Sequence, residues 1–237
     1  MVQSTRISKG VFLLVHWTFI HGAASNHRTW SRQHRFPVDK WVPDLPTLTH
    51  STPAHLINDL ASWCASSLPE PSVIVGHSMG GAIAQTMALN YPNRVLALVL
   101  VGTGPHLPVN SELLDLLANQ PQAALEKITR WSLSRAADPG LIKTSLELAV
   151  SIPPARALQE FTACQFFDVR HRLNDIKCPR FVIRGSDDKM TPEALSNQFL
   201  AAWPDVPGFT IPDAGHLMML EQPVLFNDVL DTIKSRL

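Results

Sequence analysis

The chain has 237 residues, 45% of them apolar and 17% charged, with 20 Lys and Arg balanced by 20 Asp and Glu. That length suits one large domain or two small ones and buries roughly 70% of the unfolded chain's surface. The balanced charge argues against nucleic acid or an anionic membrane as main partner, because both need a net basic face. No apolar run reaches the roughly 18 residues of a membrane span. Cys64, Cys164 and Cys178 are odd in number, far apart and in no CxxC pairing, so they read as reduced thiols of a cytoplasmic protein.

In chain order, Val11–Ile20 (VFLLVHWTFI) reads as a strand. It follows Arg6 and Lys9 and precedes Ala23-Ala24-Ser25, roughly the layout of a secretory leader, but His16 interrupts the apolar run and the small-residue site is poor. Lys40–Val42 reads as a short strand before Pro43-Asp44. Ser72–Val75 (SVIV) is a strand running into Gly76-His77-Ser78-Met79-Gly80-Gly81, and Ala82–Asn90 follows as a buried helix closed by Tyr91-Pro92. Val95–Val101 (VLALVLV) is a fully buried strand and Phe181–Arg184 another. Pro192–Trp203 is a helix opened by proline in its first turn, Phe209–Ile211 a last short strand, and Pro223–Leu237 a terminal helix. Nearly continuous apolar strands alternating with helices predict an α/β fold with a mostly parallel sheet flanked by helices. From about Gly104 to Ile176 the rhythm breaks, with helix-like patterns over Glu112–Ala118, Ala123–Ser134, Leu141–Ala149 and Ala155–Phe161 and no convincing strand. The expectation is a single domain over residues 1–237 with a helical cap inserted over about 104–176.

Gly76-His77-Ser78-Met79-Gly80 matches G-x-S-x-G between a strand and an Ala-rich helix. A serine on so sharp a turn takes strained backbone angles, and side chains two residues away on either side would collide; glycine at 76 and 80 removes them. The helix that follows aims free N–H groups at the turn and favours negative charge developing there. A serine hydroxyl needs a base, and the base an orienting acid. Both stand downstream: FVIR ends at Gly185-Ser186-Asp187-Asp188 and FTI at Pro212-Asp213-Ala214-Gly215-His216. Each lies at the carboxyl edge of the expected sheet, where open α/β sheets build sites.

Five stretches, FIHG (19–22), PDLP (43–46), VGHSMGGAIAQ (75–85), RGSDDKMTP (184–192) and AGHLMMLEQP (214–223), together resemble the α/β-hydrolase superfamily over residues 19–237. The likeness is to its small esterase and carbon–carbon-bond-hydrolase branch. The resemblance implies Ser78 as nucleophile, His216 as general base and then acid, and Asp188 as the orienting acid. Asp188 is preferred to Asp187 because the family's acid falls three residues after the glycine and four before the proline, here Gly185 and Pro192. It implies an oxyanion hole made by the backbone N–H groups of Met79 and Ala23. His21 is read as positioning that loop and, with His77, Trp131 and Phe166, as a candidate substrate contact; the aromatics either line an acyl pocket or pack cap helices.

The activity implied is hydrolysis of small-molecule carboxylic esters through an acyl-enzyme. Cleavage of a diketone carbon–carbon bond or an enol lactone on the same triad is the neighbouring alternative, and a non-catalytic ligand binder the one from another class. No metal or cofactor is expected: His16, His21, His27 and His34 have no nearby Asp, Glu or Cys to complete a ligand set. Nothing in the sequence speaks to oligomeric state. The front of the chain departs from the family pattern. Only Met1–Gly10 precedes Val11 where relatives open with a hairpin, and Thr47–Ser51 replaces a glycine-rich stretch. Both departures bear on the geometry around Ala23.

Overall fold

A strand that is apolar on both sides of its pleat has no face to offer water and must be covered twice. The computed structural model, which describes residues 15–237, meets this demand with one six-stranded sheet. Its strands are β1 (His16–Ile20), β2 (Lys40–Trp41), β3 (Ser72–His77), β4 (Val95–Val101), β5 (Arg180–Gly185) and β6 (Gly208–Ile211). They lie in the order β2-β1-β3-β4-β5-β6, and every neighbouring pair runs parallel. The expected strand over Val11–Ile20 is present from His16 onward; Val11–Leu14 lie outside the described residues.

Successive residues divide between the faces as a period of two requires. Ile20, Ile74, Leu98, Leu100 and Val182 pack on one side against α1 (Pro53–Ser67) and α2 (Met79–Asn90). Phe19, Val73, Val75, Val99 and Ile183 pack on the other against the C-terminal helix. One residue escapes the expected full burial of β4: Leu96 is 45% exposed. Ser72 faces Val95 while Val73 faces Ala97, so Leu96 falls in a bulge that turns its side chain out.

Between β4 and β5 come α3 (Ser111–Asn119), α4 (Pro121–Ser132), α5 (Pro139–Val150) and α6 (Pro154–Phe166). They share an apolar cluster of their own that includes Leu117, Leu125, Ile128 and Phe161, and Ala24 from the loop after β1 joins it. After β5 follow α7 (Glu193–Ala202), the short α8 (Met218–Glu221) and α9 (Pro223–Lys234). Five helices begin on proline, at 53, 121, 139, 154 and 223, where the missing N–H costs no hydrogen bond and the fixed φ suits the first turn. These are five of the 19 prolines. α1 was not foreseen: its buried stripe of Leu56, Ile57, Leu60, Ala61, Cys64 and Ala65 is half small residues and carries little apolar weight.

Among the described residues no helix is long and apolar enough to cross a membrane. Cys64, Cys164 and Cys178 are all free, and burial pushes the Cys64 thiol up to about 12.

The two leucines of β4 test the burial pattern. Leu98→Ala should cost roughly 2–5 kcal/mol in urea denaturation, because it deletes a fully buried side chain and leaves a cavity. Leu96→Ala, on the same strand, should cost well under about 1 kcal/mol. Equal losses would mean that Leu96 is buried.

Candidate functional site

In a parallel sheet every strand ends at the same edge, so the residues that follow β1, β3, β4, β5 and β6 converge there. Ser78 joins β3 to α2 with φ 55° and ψ −120°, in the left-handed half of backbone space that a residue with a side chain seldom occupies. Strain of this kind costs on the order of 1–3 kcal/mol and persists only where the surroundings over-determine it. Here they do. A Cβ at Gly76 would lie 2.3 Å from the Gly80 oxygen, and one at Gly80 would lie 2.3 Å from the Ile20 oxygen. The Ser78 N–H donates to Val101 O at 3.0 Å, and Thr103 Oγ1 donates to Ser78 O at 2.9 Å. Met79, fully buried, is the first residue of α2, so its N–H belongs to the free set at a helix start.

His216 stands beyond β6 and Asp188 beyond β5, both buried, with Asp188 Oδ2 at 2.8 Å from His216 Nδ1. Thr191 fastens the carboxylate: its hydroxyl donates to Oδ2 at 2.7 Å and its N–H to Oδ1 at 2.8 Å, while Met190 N–H reaches Oδ1 at 2.9 Å. Burial pushes the Asp188 carboxyl up, but the adjoining His216 and these donors outweigh it and hold the group below its usual range. Gly102, at φ +49°, ends β4 under the pair; a Cβ there would lie 3.2 Å from His216 Nδ1. Asp187 is exposed: its N–H donates to Ala214 O at 2.9 Å and its carboxylate accepts from Ser186 Oγ at 3.3 Å, away from His216. Asp213, at φ +52°, is an exposed turn residue. Of the three carboxylates, Asp188 alone is brought to the histidine among the described residues.

His77 precedes the serine and is buried. Its Nε2–H donates to the His216 carbonyl at 3.0 Å, and its ring lies 4.4 Å from the His216 ring between centroids. Burial, followed by the neighbouring His216 charge, drives its pKa well below the ordinary value, so His77 is neutral. His21 is fully buried behind the loop that holds Ala23. Its Nδ1–H donates to Gly22 O at 2.8 Å and its Nε2 accepts the Leu45 N–H at 3.1 Å, an arrangement only the neutral ring permits. Desolvation lowers its pKa to about 4. Both nitrogens being spent, His21 holds the loop and does not line the cavity, contrary to the expectation that it contacts substrate.

Two cavities meet at Ser78. One, of about 80 Å³, is lined by Gly22, Ala23, His77, His216 and Leu217 with residues of α4 and α5. The other, of about 200 Å³, is lined by Leu107, Val109, Leu113, Trp131 and Leu195. Ala23, Ser78, Phe161 and Met190 border both. Trp131 thus reaches the site, whereas Phe166 does not: it is 62% exposed and lines neither cavity. Five residues along a helix turn the side chain by about 140° from Phe161, on to the opposite side of α6. Thr191, Gly102 and Thr103 were not foreseen as site residues. The Thr191-Pro192 and Gly102-Thr103 pairs, each just beyond a sheet strand, carried the signal. Far from here, at the opposite edge of the sheet, the fold brings Asp39 and Glu70 to His16, with donor atoms within 4.8 Å of one another and both acids exposed. His16 Nδ1 and Asp39 Oδ2 are hydrogen-bonded there at 3.0 Å.

His21 makes stability depend on pH. The folded protein binds its proton at about 4, against 6.5 for an ordinary imidazole, so the stabilisation is complete above about pH 6.5 and is lost as pH falls toward 4. The amount is on the order of 3 kcal/mol, and His77 adds in the same direction. Urea midpoints should fall through that window, and His21→Gln should flatten the slope. Parallel slopes for the two proteins would show that His21 is not held neutral.

A model of the alpha/beta hydrolase family matches residues 19–229. The chain is 24% identical over 243 residues to a pimeloyl-(acyl-carrier protein) methyl ester esterase of Salmonella typhi, the match covering 94% of each protein. Among solved structures, a thermophilic esterase from Thermogutta terrifontis superposes with a TM-score of 0.81 at 22% identity, over 94% of this chain and 90% of that one. The enol-lactonase of Burkholderia xenovorans LB400 superposes with 0.82 at 16% identity, over 94% and 92%. The two superpositions speak for the fold, a mostly parallel sheet flanked by helices. A match spanning nearly the whole of that sheet and its flanking helices makes this chain a member of the alpha/beta hydrolase family, with esterases among its relatives.

Proposed function

We propose that the protein is a serine hydrolase of small-molecule carboxylic esters, working through Ser78, His216 and Asp188 by way of an acyl-enzyme. One observation carries the reading. A serine in left-handed backbone at the head of a helix borders the same cavity as a histidine whose far nitrogen is held by a buried carboxylate. Ser78 Oγ adds to the carbonyl carbon while His216 Nε2 takes the hydroxyl proton. Asp188 accepts from Nδ1–H, which leaves Nε2 as the basic nitrogen and stabilises the imidazolium that forms. The carbonyl oxygen becomes an anion between the N–H groups of Met79 and Ala23, each donor supplying roughly 3–4 kcal/mol. Collapse breaks the bond to the alcohol, which leaves with the proton from His216. Water, deprotonated by the same imidazole, then adds to the acyl carbon, releases the acid and restores Ser78.

Every proton and charge in this cycle belongs to a named group, so the reading calls for no metal or cofactor. The helices of residues 104–176 act as a cap on a single α/β domain among the described residues, and the free thiols suit a cytoplasmic setting. The alcohol oxygen must reach His216, which lines the smaller cavity of about 80 Å³, so the alcohol portion occupies that side. The acyl chain then takes the larger of the two cavities, of about 200 Å³, beside Trp131.

Methyl and p-nitrophenyl esters from acetate to decanoate test the reading, followed by acid or nitrophenolate release. Turnover should show an optimum in acyl length and should drop on the order of 10^4-fold in Ser78→Ala and His216→Ala. Asp188→Asn should cost far more than Asp187→Asn. Activity surviving in Ser78→Ala would remove the triad. A folded protein inert to every ester but turning over a ring-cleavage diketone or enol lactone keeps the triad and changes the bond it cleaves; one inert to all of them is a ligand binder.

A further inference from the structure

The loop between β1 and β2 has to present one amide, that of Ala23, to a developing oxyanion while the next residue sits in an unfavourable conformation. Ala24 has φ +49°, and its side chain is buried among those of α3–α6. A left-handed alanine with no help would relax. Its N–H donates to Glu160 Oε2 at 2.7 Å. Glu160 lies on α6, is only 3% exposed, and accepts on its other oxygen from Arg156 Nε at 2.8 Å. The Arg156 guanidinium also reaches Ser25 O at 3.4 Å. On the other side of Ala23, the peptide that contains the Ala23 N–H is fixed at its carbonyl, Gly22 O, by His21. Peptides are planar, so holding Gly22 O sets the direction of the Ala23 N–H, and holding Ala24 N sets the peptide after it.

We infer that Glu160 is a positioning residue for the oxyanion-binding amide of Ala23, reaching across from the inserted helices to lock the Ala24 peptide, with Arg156 neutralising the carboxylate so that it does not oppose the oxyanion. The inference rests on the proposed serine-hydrolase reading. A bare carboxylate this near a forming oxyanion would repel it in a medium of low dielectric. The paired one contributes geometry without net charge. Its length is then what matters: the side chain must span from α6 to the Ala24 N–H.

This separates Glu160 from an ordinary buried ion pair. Glu160→Gln keeps the length and an acceptor oxygen but loses the charge, whereas Glu160→Asp keeps the charge and loses the reach. A positioning role predicts that kcat on a p-nitrophenyl ester falls more in Glu160→Asp than in Glu160→Gln, on the order of 10-fold to 10^2-fold, with KM nearly constant. A trifluoromethyl ketone, whose serine hemiketal adduct carries the oxyanion, should lose affinity in the same ranking. The matching methyl ketone should bind all three proteins alike. Glu160→Asp equal to or better than Glu160→Gln, or KM rising as kcat falls with both ketones weakened together, would make Glu160 a packing and charge element and overturn the inference. Should Glu160→Asp fail to fold while Glu160→Gln folds, the ketone pair on Glu160→Gln decides, and a loss of trifluoromethyl ketone affinity as large as that of a missing oxyanion donor would overturn it. The proposed function fails separately: it falls if Ser78→Ala keeps wild-type turnover, whatever the Glu160 variants do.

Discussion

Everything at this site depends on how closely two pieces of backbone approach at the turn after β3. Gly80 lies so near the end of β1 that a methyl group in its place would meet two consecutive carbonyl oxygens, those of Ile20 and His21, at 2.3 and 2.6 Å. That contact presses the start of α2 against the strand that leads into the Ala23 loop. It keeps the start of α2, where Met79 stands, close to the loop whose Ala23 borders the same cavities as Ser78. No side chain could do this, because side-chain volume is what has to be absent. Gly76 meets the same requirement from the other side of the turn, and Gly81 clears Thr103, where a Cβ would lie 2.5 Å from Cγ2.

From that contact outward, the loops at the sheet edge are tied to the inserted helices by carboxylates, each in a different way. Glu160 holds Ala24 from α6. Glu221 in α8 accepts from Gly215 N–H at 2.9 Å and from Ser134 N–H at 2.8 Å, bridging the loop that carries His216 to the segment leaving α4. Leu217 N–H adds a bond to Ser132 O at 3.1 Å. Gly215 is packed so tightly there that a Cβ would lie 2.8 Å from the Leu133 carbonyl carbon and the Ser134 nitrogen. The helices over the sheet therefore do more than enclose a cavity. Two of the loops that bring groups to Ser78 take part of their geometry from them, which makes the site a joint product of sheet and insertion.

The parts readable from the chain alone were those where chemistry and backbone sterics leave few options. A serine between two glycines after an apolar strand admits one turn, whereas the choice of Asp188 over Asp187 needed the family resemblance, whose acid has this spacing to Gly185 and Pro192. Strand positions were equally plain, because a strand buried on both faces has a continuous apolar run. What stayed hidden needed the third dimension. Arg156 and Glu160, four apart on a helix, have the spacing of any solvated pair on a helix surface; only the packed loop reveals that the acid is buried and faces a backbone amide. Phe161 and Phe166 are equivalent in composition and differ only in the helix face they occupy. Leu96 looks as buried as its neighbours until the bulge opposite Ser72 and Val73 is seen. The small residues of α1 conceal a helix because packing against α2 rewards smallness that a hydropathy pattern does not register.

Charge around Ser78 is arranged with similar economy. Three histidines crowd this edge, and two are held neutral: His21 by burial and two hydrogen bonds, His77 by burial and by its proximity to His216. Were either protonated, its charge would oppose the proton that His216 accepts in the proposed reaction. Glu221 spends its oxygens on backbone N–H groups, and Glu160 is matched by Arg156. That leaves Asp188 as the one carboxylate bonded to His216 among the described residues, and it is bonded to the nitrogen that does not face the reaction. In the proposed reaction the imidazolium would arise next to a preset anion, held by a buried carboxylate where attraction is stronger than in solution. Thr191 bonds both oxygens of that carboxylate, so the proposed gain would need no rearrangement at the moment of reaction.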